Sequence, residues 1–216
     1  MNDPLAKLSI CAVGFMASAC SLFPSAPEAQ SINHYLADPL DLDSVRRVMV
    51  LPFDESPGVS SQEAMVRNMF IMEMGKLQSF EVVPLPEQAM EYQEIHRSLS
   101  RGNISVGALA KLSERYGIDG VILGTITSYR AYKPASLGMR VQLISMHSGK
   151  AVWAAEGMFD CGDAMVLEDL QHYAKSFAAA EDSLHGWEIH MLSPRKFAAY
   201  VCHRIAGSVK DAALRR

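Results

Sequence analysis

The feature that most constrains the fold is a run of three strand-like segments joined by short connections. Residues 118–126 are rich in apolar and β-branched side chains, residues 139–144 alternate apolar and polar side chains, and residues 151–157 form a third apolar stretch. His147-Ser148-Gly149-Lys150, between the last two, is typical of a tight hairpin turn because glycine adopts a positive φ without strain. The pattern therefore predicts an antiparallel three-stranded meander.

Strand-like and helix-like segments alternate before the meander, and two helix-like segments follow it. Ser60-Ser61-Gln62-Glu63 resembles a capping box and predicts a helix start, while Gly117 predicts a left-handed helix stop. The predicted order β-α-β-α-α-β-β-β-α-α indicates an α+β (α/β) fold, with helices packed on a single mixed sheet that contains the antiparallel meander. The segments outside the meander are a strand over 45–53, a helix to about 78, a strand over 80–84, helices over 86–97 and 105–117, and helices over 163–181 and 193–210.

The amino-terminal residues predict export and a lipid anchor. Lys7 precedes the apolar run 8–16, which has the length of a signal-peptide core and is too short to span a bilayer. Ala17-Ser18-Ala19-Cys20 follows and resembles the lipobox of bacterial lipoproteins, although Ala17 stands where leucine is usual. The alternative is a buried amino-terminal helix with an incidental cysteine.

The lipobox resemblance implies a domain organisation and a location. It implies a signal peptide over 1–19, followed by lipid attachment through fatty acids such as palmitate at Cys20. Residues 20–44 are predicted to be the lipidated cysteine and its tether, because they contain Pro, Ser and Asp without a sustained period. Residues 45–216 are the predicted globular periplasmic domain. Ser21, in place of the aspartate that favours inner-membrane retention, implies the periplasmic face of the outer membrane.

Three sequence blocks resemble a known family. Residues 48–53, 117–124 and 143–153 are similar to the periplasmic domain of the curli secretion lipoprotein CsgG and to relatives with the TolB amino-terminal-like fold, such as PelC and LpoB. The resemblance covers about residues 45–160 and implies that fold. One difference is that the curli channel inserts long amphipathic hairpins, whereas only Tyr132 to Leu137 join strands here. We therefore expect no transmembrane barrel of its own.

Composition and motifs argue against several classes of function. The net charge of −4 and the pI of about 6.0 argue against a nucleic-acid partner, which requires a basic face. The seven histidines, including His185, His190 and His203 beside Cys202, match no zinc template, so no metal or cofactor is expected. Asp54-Glu55 follow the first strand without a phosphate-binding glycine pattern, and we interpret them as a solvated loop. No catalytic residue is predicted, and we expect the protein not to be an enzyme.

A few further residues are candidates for structural or binding roles. Cys161 and Cys202 are predicted to form a disulfide or to be buried free thiols. Tyr129, Tyr132 and Pro134 lie near the predicted tip between two strands and are candidate contacts with subunits or partners. The methionines of the helix that follows residue 62 are expected to pack in the core rather than to form an adaptable binding face.

These expectations lead to two functional hypotheses. The first is an outer-membrane lipoprotein that supports secretion or assembly at the cell envelope as a homo-oligomeric ring, with envelope secretion or assembly proteins as partners. The second is a monomeric regulatory lipoprotein that binds and activates an envelope enzyme of peptidoglycan or polysaccharide synthesis. In both, the lipid anchor contacts the membrane. They differ in self-association, which the first requires and the second lacks.

Overall fold

The computed structural model describes residues 32–87, 89–99, 106–177 and 186–214. The strands are β1 (Asn33–Leu36), β2 (Arg47–Val50), β3 (Asp54–Glu55), β4 (Glu81–Val82), β5 (Gly120–Arg130), β6 (Ser136–Ser145) and β7 (Ala151–Asp160). The helices are α1 (Pro39–Ser44), α2 (Glu63–Lys76), α3 (Met90–Leu99), α4 (Val106–Tyr116), α5 (Ala164–Ser176), α6 (Ile189–Leu192) and α7 (Pro194–Leu214), with a single 3-10 turn at Gly186–Glu188.

The strands form one mixed sheet, as the sequence predicts. Six strands are arranged in the order β1-β7-β6-β5-β2-β4, and the seventh, β3, pairs with β5 beside this path. The antiparallel part is β1-β7-β6-β5, while β2 is parallel to both β4 and β5. The predicted α+β class and meander are therefore confirmed.

Two apolar cores lie on opposite faces of this sheet. Side chains alternate along a strand, so Val48 and Val50 of β2 face one core while Met49 and Leu51 face the other. The larger core is covered by α2, α5 and α7. The smaller core is covered by α3 and α4. On β6 and β7 the second face carries the exposed ion pair Arg140–Glu156, 3.0 Å between Nη2 and Oε1.

The glycines predicted to adopt special conformations do so. Gly117 ends α4 with φ of 60°, and Gly149 has φ of 68° in the turn between β6 and β7. Both values lie in the left-handed region that favours glycine. Gly124 on β5 allows a close approach, because a Cβ atom there would lie 2.4 Å from ring carbons of Phe53. Substitution at Gly124 would therefore displace a buried aromatic ring.

The predicted tether over 20–44 needs correction, because the sheet includes part of it. Residues 33–36 form the edge strand β1, and residues 39–44 form α1. Asn33 pairs with Glu156 of β7, so β1 depends on contacts with a strand distant in sequence. The predicted signal peptide and Cys20 lie outside the described residues.

Helix α2 begins differently from the predicted capping box. It starts at Glu63, and the residue before it, Gln62, makes no side-chain capping hydrogen bond. The Glu63 carboxylate instead accepts a hydrogen bond from the Phe53 backbone N–H at 2.7 Å. Glu55, predicted to lie in a solvated loop, belongs to β3 and accepts hydrogen bonds from Ser61. Contacts with the sheet thus replace the local cap.

The predicted packing of the α2 methionines is largely confirmed. Met69 and Met74 are buried, and Met65 packs against the larger core. Met72 is exposed. The buried side of α2 therefore carries apolar side chains together with the charged side chains of Arg67 and Glu73.

Candidate interaction surface

One end of the sheet carries the turn that contains Tyr132, and we call it the Tyr132 end. Arg130 of β5 pairs with Ser136 of β6, which pairs with Asp160 of β7, so three strands terminate together there. The end comprises the turns 131–135 and 161–163 and the loop 57–62. The loop belongs here because β3 runs parallel to β5 and Ser56 N–H donates to the Ile126 carbonyl.

Hydrogen bonds hold the two turns of the Tyr132 end together. Arg130 donates to the Pro134 carbonyl and pairs with the Asp160 carboxylate at 2.8 Å. The Cys161 backbone N–H donates to the Ala135 carbonyl at 2.9 Å. Asp160 also accepts from the Gly162 backbone N–H at 2.7 Å. The main chain of the surface is thus fixed before any partner binds.

Apolar side chains project from this end. Tyr132 is 83% exposed, Met158 is 46% exposed and Met165 is 45% exposed. Lys133 and Asp163 lie in the two turns, and Asp163 caps α5 by accepting from the Met165 backbone N–H at 2.9 Å. The loop 57–62 contains no ionisable side chain. The surface therefore combines exposed apolar side chains with the charged side chains of Arg130, Lys133, Asp160 and Asp163.

The three predicted interface residues differ in accessibility. Tyr132 and Pro134 are exposed, whereas Tyr129 is partly buried and packs against the larger core. The Tyr129 hydroxyl is buried and has no hydrogen-bond partner among the described residues. Burial raises the pKa of Tyr129. Tyr132 and Pro134 can therefore contact a partner directly, and their role stays a prediction.

The disulfide that the sequence allows is not formed. Cys161 and Cys202 are both free and buried. Cys161 follows β7 at the Tyr132 end, and burial and nearby Asp160 raise its pKa to about 11. Cys202 lies on α7 and donates through Sγ to the Val66 carbonyl of α2 at 3.6 Å, and burial raises its pKa. In the structure both side chains are thus buried thiols.

A buried carboxylate that the sequence analysis missed connects α2 to α7. Glu73 contacts Lys76 Nζ at 2.5 Å and His203 Nδ1 at 3.1 Å. Burial raises the pKa of Glu73, hydrogen bonds from His203 and Lys76 lower it, and the net direction is downward. The spacing of Glu73 and Lys76 is a recognisable sequence signal, but contact with His203 depends on tertiary packing.

A second buried cluster connects α5 to α7. Asp169 accepts a hydrogen bond from the Tyr200 hydroxyl at 2.7 Å and pairs with Arg204 Nε at 3.0 Å. Burial and the adjacent Asp169 charge raise the pKa of Tyr200. The sequence signal for this cluster is the pair Tyr200 and Arg204, which lie four residues apart on α7 and therefore on the same side of the helix. Both clusters use their ionisable groups to connect helices.

Two of the described histidines, His190 and His203, make contacts within or between helices. His190 contacts the Trp187 carbonyl through Nδ1 at 3.1 Å and lies edge-on to Tyr173, while His203 contacts Glu73. His185 lies outside the described residues. Across residues 32–87, 89–99, 106–177 and 186–214, no group of three or more His, Cys, Asp or Glu side chains is arranged to hold a metal ion.

An open groove of about 670 Å³ lies between α3 and α4, and both signs of charge line it, including the paired Glu91 and Arg115. The lining is thus mixed in charge, and Met90 contributes apolar surface to it. Within the part of the chain that the structure describes, every helix is too short or too polar to cross a membrane.

Comparison with protein-family models and with curated proteins gives no match. Among solved structures, the PelC dodecamer from Paraburkholderia phytofirmans is similar, with 12% identity and a TM-score of 0.43 over 64% of this chain and 87% of that chain. Lipoprotein GNA1162 from Neisseria meningitidis has 12% identity and a TM-score of 0.39 over 62% of this chain and 99% of that chain. The NMR structure of E. coli LpoB has 11% identity and a TM-score of 0.39 over 73% of this chain and 82% of that chain. The structural neighbours of this chain thus include PelC and LpoB, the two relatives that its sequence blocks resemble.

Proposed function

We propose that this protein is a non-catalytic lipoprotein, attached through Cys20 to the periplasmic face of the outer membrane, that supports secretion or assembly at the cell envelope as a homo-oligomeric ring. The observation that carries the proposal is the Ala17-Ser18-Ala19-Cys20 motif, which precedes β1 by only a short segment. A lipid at Cys20 places the described domain outside the bilayer and close to it.

The described domain suits a scaffold or binding module. Its buried ionisable side chains connect elements of the fold, as Glu73 does for α2 and α7 and Asp169 does for α5 and α7. The exposed sheet face around Arg140 remains available for contacts between copies or with envelope proteins. These features support assembly by surface contact.

A second candidate function is a monomeric regulator that binds and activates an envelope enzyme of peptidoglycan or polysaccharide synthesis. It is favoured by the groove between α3 and α4, next to which Met90 and Val106 are strongly exposed. Apolar side chains beside a groove are typical of protein-binding surfaces. Such a surface requires no self-association.

The test is the native mass of the lipidated full chain in mild detergent, measured by mass photometry, together with mass spectrometry of its amino-terminal peptide. A discrete assembly of many copies with an acylated Cys20 is the expected result. A monomer over the whole accessible concentration range would reject the ring and favour the regulator. An unmodified Cys20 would reject the lipoprotein proposal, and the Cys20→Ser chain provides the unlipidated reference.

A further inference from the structure

We propose that the Tyr132 end of the sheet faces the lipid bilayer, with Tyr132 located among the lipid headgroups. The inference rests on the proposed lipid attachment at Cys20 and adds the orientation of the domain and the surface that contacts lipid. Three observations carry it: the direction in which the chain leaves β1, the length of the segment to Cys20, and the chemistry of the two ends.

The direction of β1 points the preceding chain toward the Tyr132 end. Asn33 pairs with Glu156 and Leu36 pairs with Trp153, so β1 is antiparallel to β7. Moving backward along β1 therefore means moving forward along β7, toward Asp160. The remaining distance along β7 is four residues, or about 13 Å at the usual rise of a strand. Residue 32 thus leaves the sheet in the direction of the turns that form this end.

The segment between Cys20 and Asn33 limits how far the domain lies from its anchor. Residues 21–32 are twelve residues, and a fully extended chain of this length spans at most about 40 Å. To present the opposite end to the bilayer, the chain would have to reverse direction and pass the full length of β1 and α1. Presentation of the Tyr132 end requires no reversal.

The opposite end, which we call the His147 end, is poorly suited to a lipid surface. It comprises the turn 146–150, α1, the segment 77–80 and the starts of β2 and β5. Its exposed residues include one large apolar side chain, Leu40 of α1, and four charged side chains, Asp43, Arg46, Glu81 and Lys150. Moving such side chains into the less polar headgroup region costs hydration free energy.

The Tyr132 end has the chemistry that a headgroup region favours. Tyrosine is enriched at membrane–water interfaces, because its ring is apolar and its hydroxyl is polar. Lys133 places an ammonium group beside Tyr132, where lipid phosphates lie, and Arg130 pairs with the Asp160 carboxylate. Met158 and Met165 add exposed apolar surface. These apolar side chains can approach lipid with little loss of hydration, and the carboxylates of Asp160 and Asp163 already have partners in Arg130 and in the Met165 backbone N–H.

The experiment measures depth at both ends of the lipidated full chain. Tyr132→Cys and the matched His147→Cys are each labelled with a polarity-sensitive thiol fluorophore. The unsubstituted chain, whose Cys161 and Cys202 are buried, gives the background. The labelled proteins are reconstituted in vesicles of phosphatidylethanolamine and phosphatidylglycerol. Quenching by doxyl-labelled lipid reports contact with the bilayer, and quenching by iodide reports contact with water.

We expect doxyl lipid to quench the label at position 132 several-fold more than the label at 147, and iodide to show the reverse order. Equal, weak doxyl quenching with full access to iodide at both positions would overturn the orientation. Protection of position 132 from both quenchers would also overturn it, because a second copy or another protein would then cover this end. Flotation with the vesicles, with Cys20→Ser as control, tests the lipid attachment separately, so chains that float without quenching at 132 reject only the orientation.

Discussion

The two ends of the sheet differ in what their polar groups do. At the His147 end, Asp119 accepts hydrogen bonds from the backbone N–H groups of Arg46 and Arg47 at 3.2 and 3.0 Å. The Arg47 guanidinium donates to the carbonyls of Tyr116 and Gly117, where α4 ends. At the Tyr132 end, Arg130 and Asp160 hold the turns, while an aromatic ring remains in solvent.

Side chains at the His147 end therefore mainly stabilise the fold, whereas the exposed ring at the Tyr132 end can contact other molecules. Carbonyls in the last turn of a helix lack partners within the helix, so an arginine that binds them stabilises the fold directly. An exposed tyrosine at a turn contributes little to folding, because its ring is hydrated in both the folded and the unfolded chain. We therefore expect the His147 end to determine stability and the Tyr132 end to determine contacts with other molecules.

The largest expected effect is that of replacing Arg47 at the His147 end. Arg47→Ala removes two hydrogen bonds to backbone carbonyls and a partly exposed ion pair with Glu81. We expect the free energy of unfolding in urea to fall by about 2 kcal/mol. The matched variant Arg130→Ala, which loses one carbonyl contact and one ion pair at the Tyr132 end, is expected to cost about 1 kcal/mol. An equal or larger loss for Arg130→Ala would contradict the comparison.

Alkaline pH is expected to act through Cys161 at the Tyr132 end. The folded-state pKa of this thiol is about 11, above the value of about 8.5 for a free thiol. The contribution of the buried, protonated Cys161 thiol to the free energy of unfolding is fully present below the unfolded-state pKa. Between the two values the unfolded chain releases the proton while the folded chain keeps it, so the free energy of unfolding falls as the pH rises through this range.

Cys161→Ser is therefore expected to reduce the alkaline loss of stability by about 1–2 kcal/mol. The measurement is urea unfolding of both chains at about pH 8 and about pH 10.5, where only the difference between the two pH values is compared. Cys202 and the buried tyrosines remain in both chains and give a common background. Identical alkaline losses in the two chains would show that the Cys161 thiol is accessible to water in the folded state.

Much of the fold could be predicted from local sequence patterns. The β5-β6-β7 meander follows from alternating side chains and the Gly149 turn, and Gly117 marks the end of α4. The sequence patterns place the start of the domain at residue 45, whereas its first strand begins at Asn33. Strand β1 has little pattern of its own and forms by pairing with β7, so no local rule identifies it. Helix α1 did have a local signal, since Asp38 caps it before Pro39.

The candidate surface was only partly predictable, for a related reason. The exposure of Tyr132 follows from its position in a short turn, which the sequence indicates. That the turn 161–163 and the loop 57–62 belong to the same end depends on the register of β3, β5, β6 and β7. Likewise, the separate environments of Cys161 and Cys202 result from tertiary packing.

Two glycines, one at each end, test whether the difference between the ends extends to the backbone. Gly58 has φ of 83° and Gly149 has φ of 68°, and no atom lies within 4 Å of a Cβ built on either residue. We expect Gly58→Ala and Gly149→Ala each to lower the free energy of unfolding by about 1 kcal/mol, because the cost is local backbone strain. Urea unfolding measures both. A difference larger than the experimental error would place tertiary strain at one of the ends.

The smallest effect on stability is expected for Tyr132→Ser, and this makes the variant informative. The side chain is 83% exposed, so we expect the free energy of unfolding to change by less than about 0.5 kcal/mol. Tyr129→Phe is a suitable companion, because it removes a buried hydroxyl without a partner among the described residues and is expected to be neutral or slightly stabilising. Urea unfolding of the full chain measures both variants. A loss of more than about 1 kcal/mol for Tyr132→Ser would mean that this ring stabilises the fold, and the proposed difference between the Tyr132 end and the His147 end would not hold.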